Sequence, residues 1–384
     1  MATEMKRSGV SVHSLTARPR SMEACEKAPL GLEGRPRVSV TSFSIKAALL
    51  LALLIAGCAK TLPPVDLVWP SPPDEPKIRY LRAYSSGNEF GKTGMDAFRE
   101  ALFGEDAGGV IAKPYGVAAD KEGRVYVTDS GRGKVWVFDE QVKQVTYLGT
   151  SGQGALKSPM GIAVDGRGVV FVSDVVLKRV FGFDRKGNLV TAIGKSGELE
   201  RPTGLAIDPA TNRLYVSDTR LHKVRVYDAN TGAFVKEIGD RGSEEGKFNY
   251  PTNLFIRGDK LYVGDTGNFR VQVLDLDGKF LKKIGSLGDS FGNLARPKGI
   301  GVDSDGHIYV VDAAFDNFQI FNEEGKLLLF IGEAGASPGR FWLPAGMFID
   351  ERDRIYVADQ YNNRVQVFQY LKDKQVVPLV NIKK

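Results

Sequence analysis

Six aspartates recur along the chain, each at the end of a Tyr/Phe-Val-x-Asp run, and their carboxylates could bind a cation or transfer a proton. In five of the six repeats a lysine or arginine follows five residues later. If the repeats form a ring, the carboxylates could surround a cation. We interpret them instead as structural caps, each accepting hydrogen bonds within its own loop and facing the nearby cation. The aspartates are Asp129, Asp174, Asp218, Asp265, Asp312 and Asp359.

The fifth repeat departs from this pattern. Asp312 is followed after five residues by Asn317 rather than by a cation, and its loop adds Phe315, Asp316 and Phe318. Aromatic side chains are frequent anchors at interfaces, because each buries a large area at a small entropic cost. We therefore predict that Phe315, Asp316 and Phe318, together with Asp312, contribute to a partner-binding site. Drift of one repeat away from the pattern is the alternative.

These residues belong to repeats of 43 to 49 residues, each of which begins with a proline and a step of small residues. The repeats contain no run of helical periodicity. A repeat of this length with four short strands is typical of a β-propeller blade. We therefore predict an all-β protein, a six-bladed β-propeller over residues 77–372 with four antiparallel strands per blade. The prolines are Pro114, Pro159, Pro202, Pro251, Pro297 and Pro344.

Closure of the ring requires a strand from elsewhere, because the last repeat supplies only three strands, the third of them at 364–371. Residues 77–84 resemble the fourth strand of blade four, Phe280 to Ile284. We predict that this N-terminal strand closes the last blade. The tail at 375–382 is the competing candidate. It is less favourable because Pro378 cannot donate a backbone hydrogen bond to a neighbouring strand.

Two repeats resemble the NHL family in detail. They are residues 262–273, with the sequence YVGDTGNFRVQV, and residues 356–367, with the sequence YVADQYNNRVQV. The resemblance implies an NHL-type six-bladed propeller. It implies no particular function, because one fold can carry many unrelated sites.

The sequence gives little support for catalysis. Cys25 and Cys58 are the only cysteines, and the histidines beyond the leader, His222 and His307, fall in turns on opposite faces of a propeller and cannot share a metal ion. We therefore predict no catalytic residue, no metal site and no cofactor. The alternative is a metal-dependent hydrolase or lyase with a site in the central channel. The residues predicted at the channel mouth include no acid and no histidine: Tyr115, Met160, Thr203, Thr252, Lys298 and Ala345.

Residues 1–57 are predicted to be a leader. Lys46 precedes an apolar run at 47–56, and residues 55–58, Ile-Ala-Gly-Cys, resemble the lipobox of bacterial lipoproteins. Ten apolar residues span about 15 Å as a helix, half of the hydrocarbon core of a bilayer, so we expect a cleaved signal rather than a transmembrane anchor. We expect lipidation at Cys58 and anchoring in the cell envelope, with Ala59 favouring the outer membrane. We attribute residues 1–44 to a start codon assigned too far upstream.

The segment between the lipid and the ring is rich in proline. Residues 58–76 contain six prolines, which favour an extended chain of about 3.1 Å per residue. We predict that this segment is a tether. Packing on the propeller through Trp69 is the alternative. Residues 373–384 are assigned to a C-terminal tail.

The charge of the chain does not indicate a nucleic-acid partner. The net charge is +6, but residues 1–57 hold eight lysines and arginines and four acids, a surplus of +4 that leaves +2 for the rest. A basic face of the kind that binds nucleic acid is therefore not indicated. We expect a monomer that binds a protein or a cell-envelope polymer and contacts the membrane through the lipid at Cys58.

Overall fold

The computed structural model describes residues 67–91 and 109–372. Within these ranges 25 strands form six antiparallel sheets, and the helices are three short 3-10 turns. The all-β, six-bladed architecture with four antiparallel strands per blade is confirmed. None of the helices in these ranges is long and apolar enough to cross a membrane. The 3-10 turns are Gly152–Gly154, Thr266–Asn268 and Gln360–Asn362.

Two strands precede the first repeat, and the first three blades follow in chain order. The preceding strands are β1 (Val68–Trp69) and β2 (Ile78–Tyr84). Blade one contains β3 (Pro114–Ala119), β4 (Val125–Asp129), β5 (Lys134–Asp139) and β6 (Gln144–Leu148). Blade two contains β7 (Pro159–Val164), β8 (Val170–Asp174), β9 (Arg179–Phe183) and β10 (Leu189–Ile193). Blade three contains β11 (Pro202–Asp208), β12 (Arg213–Asp218), β13 (Lys223–Asp228) and β14 (Phe234–Ile238).

The last three blades complete the ring. Blade four contains β15 (Pro251–Arg257), β16 (Lys260–Asp265), β17 (Arg270–Asp275) and β18 (Phe280–Ile284). Blade five contains β19 (Pro297–Val302), β20 (Ile308–Asp312), β21 (Asn317–Phe321) and β22 (Leu327–Ile331). Blade six takes β23 (Pro344–Ile349), β24 (Arg354–Asp359) and β25 (Arg364–Tyr370) from the last repeat.

The hydrophobic core lies between neighbouring blades, whose sheets pack face to face. Tyr215 and Val226 of blade three, for example, share a cluster with Leu254 and Leu261 of blade four. The inner strands approach each other most closely at a glycine. A Cβ added to Gly161 would lie 2.1 Å from a carbonyl oxygen of the next blade, so this position requires a residue without a side chain.

The N-terminal strand closes the ring, as predicted. β2 pairs antiparallel with β25, with Ile78 opposite Tyr370 and Tyr84 opposite Val365. Both Ile78 and Tyr84 are buried. The competing tail at 375–382 lies outside the described residues.

Part of the predicted tether lies on blade six, which is a correction to the boundary at residue 77. β1 pairs with β2 and adds a fifth strand to the sheet, and the Trp69 ring lies 5.8 Å from the Phe368 ring, centroid to centroid. The large apolar surface of Trp69 explains why proline density does not keep this segment extended away from the propeller. The alternative therefore holds for residues 67–76, whereas residues 58–66 lie outside the described ranges.

Candidate functional site

The six repeat aspartates are fully buried and act as caps. Each accepts at least one backbone N–H from the segment that precedes the first strand of its own blade. Asp312, for example, accepts the N–H groups of Ala295 at 2.7 Å and Ala314 at 2.9 Å. Because backbone donors already occupy these oxygens, the structural interpretation is confirmed and the carboxylates do not form an open cation site.

The cation that follows each aspartate pairs with it in blades four and six. Arg270 Nε lies 2.8 Å from Asp265 Oδ2, and Arg364 Nε lies 2.8 Å from Asp359 Oδ2. Burial raises the pKa of Asp359, although the hydrogen bonds from Trp342 N–H and Arg364 act in the opposite direction. These two blades therefore contain buried, charge-assisted networks.

In the first three blades the aspartate forms no ion pair with this cation, whose side chain has other contacts; in blade two, Arg179 Nε donates to the carbonyl oxygen of Gly194 at 3.0 Å. The indole N–H of Trp136 donates to Asp129 at 3.0 Å, and Lys134 Nζ lies over the Trp136 ring at 4.1 Å. Lys223 pairs with Glu237 at 2.5 Å near the surface. The spacing in the sequence thus predicted that the cation lies near the aspartate loop, but it did not predict which group the cation contacts.

The predicted partner loop of blade five is largely part of the fold. Phe318 is fully buried among aromatic side chains, with its ring 5.5 Å from that of Phe368, and Asp312 is buried as a cap. Neither side chain can contact a partner, so the prediction is wrong for both. Asp316 is half-buried and accepts the N–H of Leu343 at 2.6 Å, and Phe315 is half-buried. For these two a partner contact stays a prediction.

An exposed aromatic pair on the same face was missed. Trp342 and Tyr361 are 55% and 51% exposed, and their ring centroids lie 5.9 Å apart. Trp342 precedes Leu343, whose N–H is held by Asp316. The available signal was an aromatic residue two positions before the repeat proline, where the other five repeats have none.

Blade five also has an unusually apolar outer strand. β22 has the sequence LLLFI, whereas the equivalent β18 has FLKKI. Leu328 and Phe330 face outward and are 50% and 38% exposed. Phe291, 66% exposed, stacks on Phe330 with ring centroids 4.0 Å apart and planes at 12°. We refer to Leu328, Phe330 and Phe291, with the free edge of β22, as the blade-five rim.

The innermost strands of the six blades surround a central channel. A cavity of about 530 Å³ opens at one end of this channel, on the face that carries the turns between first and second strands. Its walls combine apolar side chains of the innermost strands, among them Ile162, Leu254 and Phe348, with charged side chains near the opening. The volume lies within the range of small-molecule sites, roughly 300 to 1,000 Å³. This face is opposite the loops in which the sequence predicted a partner site.

Most of the residues predicted at the channel mouth on the loop face are buried. Tyr115 is buried, and Lys298 Nζ lies 5.3 Å from the centroid of its ring. The hydroxyls of Thr203 and Thr252 bond to threonine hydroxyls of their own blades at 2.7 and 2.8 Å. Four of these six residues, Tyr115, Thr203, Thr252 and Ala345, are therefore buried.

A second series of aspartates, missed in the sequence, surrounds the open end. They end the first strands and hold the following turns: Asp350, for example, accepts the N–H of Arg352 at 2.8 Å and pairs with Arg354 Nε at 2.7 Å. Blade four has Arg257 at this position. The signal was present as an aspartate six residues after five of the six repeat prolines. The members are Asp120, Asp165, Asp208, Asp303 and Asp350.

The two histidines, His222 and His307, have different hydrogen-bond partners and do not contact each other. His222 Nδ1 accepts the N–H of Tyr250 at 3.1 Å, and burial, followed by Arg241, lowers the pKa of His222. His307 Nδ1 lies 2.9 Å from Asp303 Oδ2. Among residues 67–91 and 109–372, no group of three or more histidines, cysteines or acids could hold a metal ion.

Comparisons with known proteins agree with this architecture. A family model described as a 6-bladed beta-propeller matches residues 158–240 and 302–376, and an NHL repeat model matches residues 112–138. The human NHL repeat-containing protein 2 is 34% identical over 97 residues, 23% of this chain and 13% of that protein. The matches cover only 11% and 13% of the first curated relatives.

Solved structures share the fold at low identity. A structural genomics protein of unknown function from Bacteroides thetaiotaomicron superposes with a TM-score of 0.56 and 16% identity, covering 67% of this chain and 70% of that one. A gluconolactonase from Xanthomonas campestris superposes with a TM-score of 0.53 and 16% identity, covering 68% and 86%. At such identities the likeness concerns the fold alone.

Proposed function

We propose that this chain, a six-bladed propeller with NHL-type repeats, is a non-catalytic scaffold that binds a protein partner at the blade-five rim. The exposed, apolar outer strand of blade five carries this proposal. Among residues 67–91 and 109–372 no strand pairs with the outer edge of β22, and an exposed apolar edge of this kind favours pairing with another strand. An extended peptide could add to it, with the stacked Phe291 and Phe330 as anchors.

The molecule contains an example of such an addition. At blade six, β1 pairs with the outer strand β2, and Trp69 packs against the same blade. The outer edge of a blade can thus accept a short strand with an aromatic anchor. This geometry supports a protein partner over a cell-envelope polymer, because a polymer without peptide groups could not continue the ladder.

Binding is a better account than catalysis because of how the acids are used. The buried carboxylates of both aspartate series hold backbone N–H groups of their own loops, as Asp312 and Asp350 do. A metal-dependent hydrolase or lyase would need such groups free to face a substrate or a metal ion. The gluconolactonase neighbour shares only the fold, so its activity does not support that alternative.

The Phe330→Lys variant tests the proposed surface. Lysine is the residue that blade four carries at the equivalent position, Lys283, so the fold should tolerate it. The partner can be identified by placing a photo-cross-linking residue at Leu328 in cells. We expect its affinity to fall about 10-fold to 100-fold in Phe330→Lys, the loss typical of an aromatic hot spot, as measured by calorimetry with the purified partner.

The matched control is Leu281→Lys, which adds the same charge at an exposed position of the outer strand of blade four. It should leave the affinity and the melting temperature unchanged. Equal affinities for the wild type and Phe330→Lys would eliminate the rim as the binding surface. A polysaccharide adduct at Leu328 would favour the polymer instead.

We further propose that the protein is exported and anchored in the cell envelope, at the outer membrane, through lipid on Cys58. The lipobox-like sequence and the short apolar run support this, and Cys58 lies outside the described residues. Cys58→Ser should move the protein from the membrane fraction to the soluble fraction, as judged by fractionation and by labelling with a palmitate analogue. Cys25→Ser is the control. An unchanged membrane fraction in Cys58→Ser would contradict the lipid anchor.

A further inference from the structure

The innermost strands line the cavity with a ring of equivalent positions, and one of these positions carries a polar side chain. Five blades place a glycine two residues after the repeat proline, where the inner strands approach one another. A Cβ at Gly204 would lie 2.2 Å from Thr252 O, and one at Gly346 would lie 2.2 Å from Tyr115 O. Blade four alone has a side chain here, that of Asn253. This residue lines the cavity.

The side-chain amide of Asn253 is buried without a partner. The residue is 8% exposed, and its Nδ2 has no hydrogen-bond partner in the described part of the chain. A buried donor that bonds to nothing is unfavourable, and such groups are rare in folded proteins. A ligand with an acceptor atom at this depth would satisfy it.

A second exception lies on the same strand. Arg257 replaces the aspartate that ends the first strand in the other five blades, and it also lines the cavity. Its nearest ion-pair partner is Asp353 at 3.9 Å, which also accepts the N–H of Ser304 at 2.8 Å and faces Lys372 at 3.4 Å. Asp353 is thus shared, and within the described part of the chain the Arg257 guanidinium forms this one long ion pair and no hydrogen bond.

The strand geometry sets the spacing of these two groups. Side chains alternate along a strand, so Asn253, Phe255 and Arg257 project from the same face of β15. Four residues of strand separate the amide from the guanidinium by roughly 13 Å. Phe255 lies between them, with its ring 6.1 Å from that of Phe348. The cavity therefore offers an inner donor, an apolar middle and an outer cation.

The remaining charges at the opening do not neutralise Arg257. Asp120 pairs with Arg124 at 2.7 Å, and Asp350 pairs with Arg354 at the same distance. Asp165 pairs with Arg167, and Glu351 pairs with Lys121 at 3.3 Å. An anionic group entering from this face would therefore meet an available guanidinium beside carboxylates that are already paired.

We propose that the cavity binds a small amphipathic carboxylate that carries a hydrogen-bond acceptor at its far end. The carboxylate pairs with Arg257, the apolar body lies along the inner strands beside Phe255 and Phe348, and the acceptor receives the Asn253 Nδ2–H. This site lies on the face opposite the loops between second and third strands and is independent of the proposed protein partner.

Monomethyl azelate is the probe, because an apolar chain separates its carboxylate from its ester carbonyl by about the required length. Nonanoate lacks the far acceptor, and dimethyl azelate lacks the charge. Calorimetry on the purified full chain should show that monomethyl azelate binds at least 10-fold more tightly than either analogue. Each analogue lacks one polar contact with the protein, and one such contact accounts for a difference of this size. Equal affinity for all three ligands, or binding of none, would overturn the proposal without any variant.

Two variants restore the residues of the other blades. Asn253→Gly should weaken monomethyl azelate at least 10-fold and leave nonanoate unchanged, whereas Arg257→Asp should weaken both carboxylates and leave dimethyl azelate unchanged. Lys283→Asp on the outer strand is the control with the same charge change. Circular dichroism verifies that each variant is folded. If both variants bind monomethyl azelate as tightly as the wild type does, the site is refuted.

Discussion

A chain that begins at Gly87 should lose the closed propeller. This truncation removes β2, whose Ile78 and Tyr84 are buried and whose backbone completes the sheet of blade six. Full burial of the two side chains contributes about 1.5 to 3 kcal/mol each. The contact between blades six and one is also lost, because Arg82 Nη1 and the Tyr84 hydroxyl bind Glu140 at 2.9 and 2.5 Å.

The expected loss of about 5 kcal/mol or more is a large share of the total stability of a domain, which is about 5 to 15 kcal/mol. We therefore expect the melting temperature to fall by at least about 10 °C, as measured by circular dichroism or calorimetry. A chain that begins at Leu67 retains β1 and β2 and is the control. Melting of the Gly87 truncation within a few degrees of this control would show that another segment closes the ring.

Asp265→Asn should destabilise the protein more than the equivalent change in blade five. Asp265 accepts the N–H of Asn249 at 2.6 Å, Arg270 Nε at 2.8 Å and Gln272 Nε2 at 3.1 Å. Arg270 is only 7% exposed. Neutralising the carboxylate leaves this guanidinium buried without a counter-charge, which costs about 3 to 5 kcal/mol.

Asp312→Asn is the matched comparison, because Asp312 is equally buried but accepts backbone N–H groups from Ala295, Arg296 and Ala314 rather than a cation. We expect it to cost about 1 to 3 kcal/mol. Urea unfolding of both variants measures the free energies. Equal losses would mean that the ion pair with Arg270 adds nothing beyond the cap.

The two aromatic residues of the blade-five loop show where sequence reasoning reached its limit. Phe315 and Phe318 look alike in the sequence, yet Phe318 is fully buried and Phe315 is half-buried. The difference follows from the start of β21 at Asn317, since alternation then turns Phe318 toward blade six and its Phe368. Phe315 lies in the turn before this strand, outside the alternation, and therefore remains half-buried.

The two ends of the channel also show that the sequence did not predict contacts between residues that are distant along the chain. The sequence identified the residues near one channel mouth, but it could not show that Lys298 of blade five reaches Tyr115 of blade one. The exceptions at Asn253 and Arg257 were visible as departures from the repeat. Their meaning became clear only when the inner strands were assembled around a cavity.

The sequence by itself determined the blade, the number of blades and the strand that closes the ring. These features depend on local alternation, on turn residues such as Gly258 and Gly278, and on the repetition of one pattern, all of which are visible along the sequence. Only the tertiary structure decided which aspartates meet cations, which aromatic residues remain exposed and where the channel opens. Those outcomes depend on contacts between neighbouring blades, where side chains from repeats more than 40 residues apart compete for the same partners and the same space.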